Sequence, residues 1–155
     1  MLAISALVIF VDQFTKALAI ENLQPGKSVS LLGEGVKLNL VFNDSAAFSI
    51  GFGATSVFAI ISAIAALAML WYSKSMETRS WSVLLGVALG GVVGNLIDRL
   101  TRSPGFGRGL VVDFIQIPFN FPIFNIADSS IVVVAIIVVI RVMRGERIGK
   151  AKAND

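Results

Sequence analysis

Two aspartates in strongly apolar surroundings, Asp113 in VVDFI and Asp128 in FNIADSS, carry the chemistry this sequence is equipped for. Two carboxylates a few ångströms apart cannot both ionise easily, so they come to share one proton. One can then take a proton from water while the other gives a proton to a carbonyl oxygen. That is amide hydrolysis without a covalent intermediate and without a metal. The composition narrows the alternatives. The chain contains neither cysteine nor histidine, which excludes a thiol nucleophile, a Ser-His-Asp triad and any His- or Cys-based metal site. Carboxylates, Ser and Thr hydroxyls, Lys and hard-metal oxygen ligands remain. Each aspartate taken alone has a plainer reading. Asp128 opens an apolar run, where a helix N-terminus stabilises negative charge.

Other polar residues stand where polarity is costly, and each such group is a functional hypothesis by default. In VDQFTK, Asp12 and Lys16 are i,i+4 and can pair on one helix face, as a structural ion pair or as part of a site. In NDSAAFS, Asn43 can hold a peptide backbone, and Ser45, Ala46 and Ala47 permit close backbone approach. In GGVVGNLIDR, Gly90 and Gly94 form a small-xxx-small packing face. Asn95 and Arg99 share a face near the end of that helix, with Asp98 turned by about 100° from Arg99. Arg99 can snorkel to the interface, or it can hold a carboxylate or carbonyl in a preorganised site. Asn125 and Asp128 are i,i+3 at the start of the last apolar run.

The elements that must position these residues are membrane helices. The 155 residues are 55% hydrophobic and 15% charged, with a mean hydropathy of +0.83. Soluble domains carry nearer a quarter charged residues. Spans of about 20 apolar residues fall at Met1–Ile20, Ser49–Tyr72 (firmest after Thr55), Trp81–Leu100, and from near Asn125 to about Val142. The first lacks a basic leader and a small-residue cleavage site, so it reads as a retained span. Between the spans, KLNLVFN alternates as a half-exposed strand should, and GLVVDFIQI has β-branched strand character before PFNFP interrupts it. A small sheet on the outer face, beside the helix ends, is expected.

Charge sets the orientation. The net charge is +3, and the basic residues are unevenly placed. The loop SKSMETRS holds Lys74 and Arg79, and the stretch from Arg141 onward holds Arg141, Arg144, Arg147, Lys150 and Lys152. The two other connections hold only Lys27, Lys37, Arg102 and Arg108. The bias puts both termini and the short loop in the cytoplasm. The basic tail is therefore a topology signal and not a nucleic-acid patch. Residues 1–142 form a single four-span domain and 143–155 a basic cytoplasmic tail.

The motifs VDQFTK, NDSAAFS, GGVVGNLIDR, VVDFI and FNIADSS, in this order and across four matching spans, resemble those of lipoprotein signal peptidase, also called signal peptidase II. The resemblance covers nearly the whole chain apart from the basic tail and part of the first outer loop. It implies a bacterial membrane aspartic endopeptidase that removes the signal peptide of prolipoproteins just before a cysteine bearing a diacylglyceryl group. On this resemblance the catalytic dyad is Asp113 and Asp128. The residues that contact substrate or inhibitor are Asn43, Asn95, Arg99 and Asn125, with Asp12 and Lys16 in support, and Asp98 is structural. The fold implied is mainly α, with four transmembrane helices, a small outer-face sheet called a cradle, and cytoplasmic termini. The resemblance further implies no cofactor and no metal, globomycin-type inhibitors, a place in the bacterial cell membrane, and an active site toward the outer face. Membrane lipids and diacylglyceryl-prolipoproteins are the partners, and a monomer is the default. The second motif departs from the family, which usually has Gly at the position of Ser45.

Three other readings compete, one of them a purely structural membrane protein, which leaves the pairing of Asp113 with Asp128 unexplained. A transporter or channel subunit would spread polar residues along several spans, whereas the second span and most of the fourth are apolar. A Ser-Lys protease would use Ser5, Ser129 or Lys16, but Lys16 has Asp12 at i,i+4 to engage it.

Overall fold

The computed structural model describes residues 1–44, 54–76 and 78–148. Four α-helices alternate with short strands: α1 (Leu2–Asn22), β1 (Val29–Leu32), β2 (Val36–Asn43), α2 (Ala54–Tyr72), α3 (Arg79–Thr101), β3 (Val111–Gln116) and α4 (Ile126–Met143). Among the described residues, four helices are long and apolar enough to cross a membrane, and they begin and end close to the spans expected from sequence. Ser45, Ala46 and Ala47, the start of the expected second span at Ser49, and the tail lysines Lys150 and Lys152 all lie outside the described residues.

The exterior is the reverse of a soluble protein's. Leu7, Phe10 and Phe14 on α1, Ile60, Ile64 and Leu67 on α2, and Val132 and Ile136 on α4 are exposed. The largest wholly buried side chains include Lys16, Asn125, Asp12, Asp98 and Asp113. Contiguous exposed apolar surface on this scale marks a lipid-facing exterior, and charges placed inside must then be paired.

Helix α3 is the centre of the bundle and packs against α1, α2 and α4. Its glycines make that possible. A Cβ at Gly90 would stand 2.6 Å from Val8 Cβ, and one at Gly91 would stand 2.6 Å from the Ala127 carbonyl oxygen. At Gly94 a Cβ would lie 2.7 Å from Asp12 Oδ2. The small-residue face therefore serves two neighbours at once, α1 and α4. It also leaves room for a carboxylate where the three helices meet.

The expected sheet has three antiparallel strands in the order β1-β2-β3. Strand β1 has no sequence counterpart among the expected elements. All four of its residues are exposed, so no alternation marks it, and it pairs with β2. Strand β2 pairs with β3 through Val41↔Asp113, Phe42↔Val112 and Asn43↔Val111. A core of Ala19, Leu40, Val112 and Phe114 fixes the sheet to the end of α1. By connectivity the sheet joins the α1/α2 and α3/α4 ends, while the α2–α3 turn, the start of α1 and the end of α4 lie at the other end of the bundle. There, Tyr72 donates its hydroxyl proton to the Ile148 carbonyl, and the Arg141 guanidinium sits 4.0 Å over the Trp81 ring.

Candidate active site

Strand β3 ends on Gln116, and the chain returns through residues 118–124 to start α4 beside it. The amides of Phe114 and Ile115 donate to the Phe124 carbonyl, and the Phe124 amide donates to Ile115. This short return brings Asn125 and the first turn of α4 against the strand that carries Asp113.

Asn125 is wholly buried and is the N-cap of α4. Its Oδ1 accepts from the Asp128 amide at 2.9 Å, and its own amide donates to Asp128 Oδ2 at 3.2 Å. Each group satisfies a donor at the other's backbone, as a capping box does. The same side chain faces β3 with its Nδ2, donating to Asp113 Oδ1 at 2.7 Å and to the Val112 carbonyl at 3.2 Å. Asp113 and Asp128, from separate elements, thus meet on one asparagine. The remaining oxygens are also held. Asn43 Nδ2 donates to Asp113 Oδ2 at 2.8 Å across the β2–β3 ladder, and Asn95 Nδ2 donates to Asp128 Oδ1 at 2.7 Å from α3.

Asp113 is 2% exposed. Burial pushes its carboxyl up to about 6, and the charge of Asp128 pushes the same way. The hydrogen bonds from Asn43 and Asn125 oppose that rise without cancelling it. A proton is therefore held at this position up to about pH 6, well above the ordinary carboxylate range.

Behind the carboxylates lies an ion cluster between α1 and α3. Lys16 donates its three ammonium protons to Asp12 Oδ2 at 2.9 Å, Asp98 Oδ2 at 2.8 Å and Asn95 Oδ1 at 2.9 Å. The pairing of Asp12 with Lys16 follows the expected spacing, and Asp98, on the opposite helix, is the second counter-charge. Arg102 donates to Asp98 Oδ1 at 2.7 Å, and Gln13 bridges Asp12 and Asp98. Two carboxylates face two cations here, so the cluster is neutral, as burial requires. Lys16 is thereby fully committed, and the Ser129 hydroxyl donates to the Asn125 carbonyl. Neither is arranged as a Ser-Lys catalytic pair.

Arg99 points the other way around α3 from Asp98. Its Nη1 donates to the Asn95 carbonyl at 3.3 Å, and its guanidinium carbon lies 5.7 Å from the centre of the Phe58 ring on α2. Its buried Nε has no acceptor among the described residues. All eight residues singled out from sequence are therefore gathered at one end of the bundle: Asp12, Lys16, Asn43, Asn95, Arg99, Asp113, Asn125 and Asp128. Gln13 and Arg102 join these residues without having been expected at the site. Arg102 had a legible signal, its i,i+4 spacing from Asp98. Gln13 had none, since its partners come from another helix.

The family profile described as Signal peptidase (SPase) II matches residues 4–144. A lipoprotein signal peptidase of Leifsonia xyli is 46% identical over 132 residues, which is 84% of this chain and 61% of that protein. One from Mycobacterium leprae is 42% identical over 157 residues, covering 99% of this chain and 78% of its own length. The chain thus spans about three fifths to four fifths of these two relatives. A solved structure described as a bacterial membrane enzyme, obtained by the in meso method at 1.9 Å resolution, superposes with a TM-score of 0.82 at 30% identity. That match covers 93% of this chain and 92% of the other.

Proposed function

The chain belongs to the signal peptidase II family and is a multi-pass membrane protein, and from that premise we propose that it is the endopeptidase that cleaves prolipoproteins before their diacylglyceryl-modified cysteine. Asp113 and Asp128 are its catalytic dyad. The observation that carries this reading is the hydrogen bonding of Asn125 to both carboxylates. A cap needs only Asp128. Nothing about capping requires the side-chain amide of the capping residue to be given to a second aspartate.

In this mechanism the dyad holds one proton between its two members. The ionised carboxylate takes a proton from water as the water oxygen bonds to the scissile carbonyl carbon. The protonated partner gives its proton to the carbonyl oxygen. The tetrahedral diol then collapses: the carboxyl that took water's proton gives it to the departing amine of the cysteine, the other carboxylate recovers a proton from one hydroxyl as the carbonyl re-forms, and the C–N bond breaks. Asn43 and Asn95 fix the outer oxygens of the two carboxylates and contribute to substrate contact, and Asn125 orients the dyad from behind. Arg99 offers Nε to a peptide carbonyl. The acyl chains stay in the bilayer, which restricts the scissile bond to the helix ends and supplies effective concentration. The segment before the cysteine lies extended beside the sheet, as an added strand does.

Residues 1–142 act as one peptidase domain with 143–155 as a basic tail. The excess of Lys and Arg at the α2–α3 turn and the C-terminus supports cytoplasmic termini. The sheet and dyad then face outward from the bacterial cell membrane.

The test is cleavage of a diacylglyceryl-modified prolipoprotein by purified wild type and by Asp128→Asn, each with EDTA present. Cleavage by the wild type alone, with a folded variant, is the expected result. Cleavage by both would reduce Asp128 to a helix cap and overturn the assignment.

A further inference from the structure

We propose that Asp12 and Asp98 are positioning residues, each acting on one dyad aspartate through the backbone amide of the residue just before it. The inference rests on the dyad assignment and extends it. Asp98 Oδ2 accepts from the Val112 amide at 3.2 Å, and Val112 precedes Asp113. Asp12 Oδ1 accepts from the Ala127 amide at 2.9 Å, and Ala127 precedes Asp128. The two contacts are alike in kind and come from different helices. Neither aspartate touches the reacting groups. Both are wholly buried behind them.

Lys16 joins the two arms. Its ammonium binds Asp12 and Asp98 on either side, and its third proton goes to Asn95, which holds Asp128 Oδ1 directly. A single cation therefore links the amide before Asp113, the amide before Asp128, and one carboxylate oxygen of the dyad. Backbone position at both catalytic residues is referred to one point inside the bundle.

The arrangement is stiff for a physical reason. A buried carboxylate that loses its partner is strongly destabilised, so the cluster has no low-energy alternative geometry. On the strand side, no further strand among the described residues lies beyond β3. The amide and carbonyl of Val112 end on Asp98 and Asn125, not on a further strand. An edge that would otherwise be free is used to seat Asp113.

The experiment measures amide exchange at Val112 and Ala127, together with steady-state cleavage, in the full-length protein in lipid nanodiscs. The variants are Asp98→Leu and Asp12→Leu, which remove the acceptor and leave Lys16 one carboxylate each. Asp98→Leu is expected to speed exchange at Val112 by about tenfold, the order of one lost hydrogen bond, and to spare Ala127. Asp12→Leu should do the reverse. Both should lower kcat by up to about 100-fold, the scale of a misplaced reacting group, with KM nearly unchanged. If a Leu variant does not insert, its Asn counterpart is read by the same criteria.

Equal rises at both amides would indicate general loosening and overturn the proposal. So would unchanged exchange, or a loss confined to KM. Cleavage by Asp113→Asn or Asp128→Asn would instead defeat the dyad assignment, and the exchange pattern would still decide whether the two clamps exist.

Discussion

Replacing Asn125 separates helix capping from carboxylate positioning. Asn125→Ala removes the N-cap of α4, a loss of about 1 kcal/mol. It also strips Asp113 Oδ1 and the Val112 carbonyl of their shared donor, at about 1–3 kcal/mol for acceptors left buried. The variant should thus be destabilised by about 2–4 kcal/mol. Asn125→Asp keeps a good cap, because Asp serves that position as well as Asn. It cannot donate to Asp113, and it sets a third carboxyl group where the 2.7 Å hydrogen bond was. A hydrogen bond to a charged group contributes about 1.5–3 kcal/mol, which at about 1.4 kcal/mol per decade is about 10- to 100-fold in rate. Thermal unfolding in detergent and kcat on a lipidated prolipoprotein are the two assays. Both variants should lose at least tenfold in kcat, and Asn125→Asp should lose as much as Asn125→Ala despite its retained cap. Wild-type turnover by Asn125→Asp would refute the reasoning, because capping alone would then explain the residue.

Three further outcomes follow from the same geometry. The Asp113 carboxyl lies near 6 in the fold against an ordinary 3.8, so its protonation stabilises the native state fully below about pH 3.8 and that contribution is lost as pH rises through about 6. Wild type should unfold more easily at pH 8 than at pH 5, kcat/KM should fall above an apparent pKa near 6, and Asp113→Asn should flatten the first trend; parallel stability profiles would contradict this. Lys16→Met leaves Asp12 and Asp98 facing each other in a site with no exposure, which should cost about 3–5 kcal/mol; an unchanged unfolding temperature would count against the cluster. Gly94→Ala drives a methyl group to 2.7 Å from Asp12 Oδ2 and should destabilise by about 1–3 kcal/mol, whereas Gly35→Ala, which meets only the Leu32 carbonyl at 3.4 Å, should be near neutral in the same melt.

Much of this architecture was readable in the sequence because a membrane demands long apolar runs. The four helices begin and end within a few residues of those runs among the described residues. Local spacing also worked: Asp12 and Lys16 pair as i,i+4 neighbours, and Asp98 and Arg99 face different neighbours. What spacing could not supply was partnership between helices. Asp98 becomes the second counter-ion of Lys16 only because glycines let α1 and α3 meet closely. Strand β1 left no trace because a strand with neither face buried has no alternation to detect. The double duty of Asn125 was hidden for a related reason. Its i,i+3 relation to Asp128 was visible, but its second partner comes from a strand placed beside it by the return through residues 118–124.

The ion cluster also bears on how the protein enters a bilayer. Asp12 and Lys16 are i,i+4 within α1, and Asp98 is i,i+4 to Arg102, the C-cap residue of α3. Asp12, Lys16 and Asp98 thus each have an opposite charge one turn away in sequence before the helices meet, which lowers the cost of about 2.5–3.5 kcal/mol for inserting a bare ion. When α3 reaches α1, Asp98 takes up Lys16 while keeping Arg102. Two locally neutral hairpins of charge fuse into one neutral quartet. Biogenesis can then proceed span by span, and the added Lys16–Asp98 pair at the end registers α1 against α3.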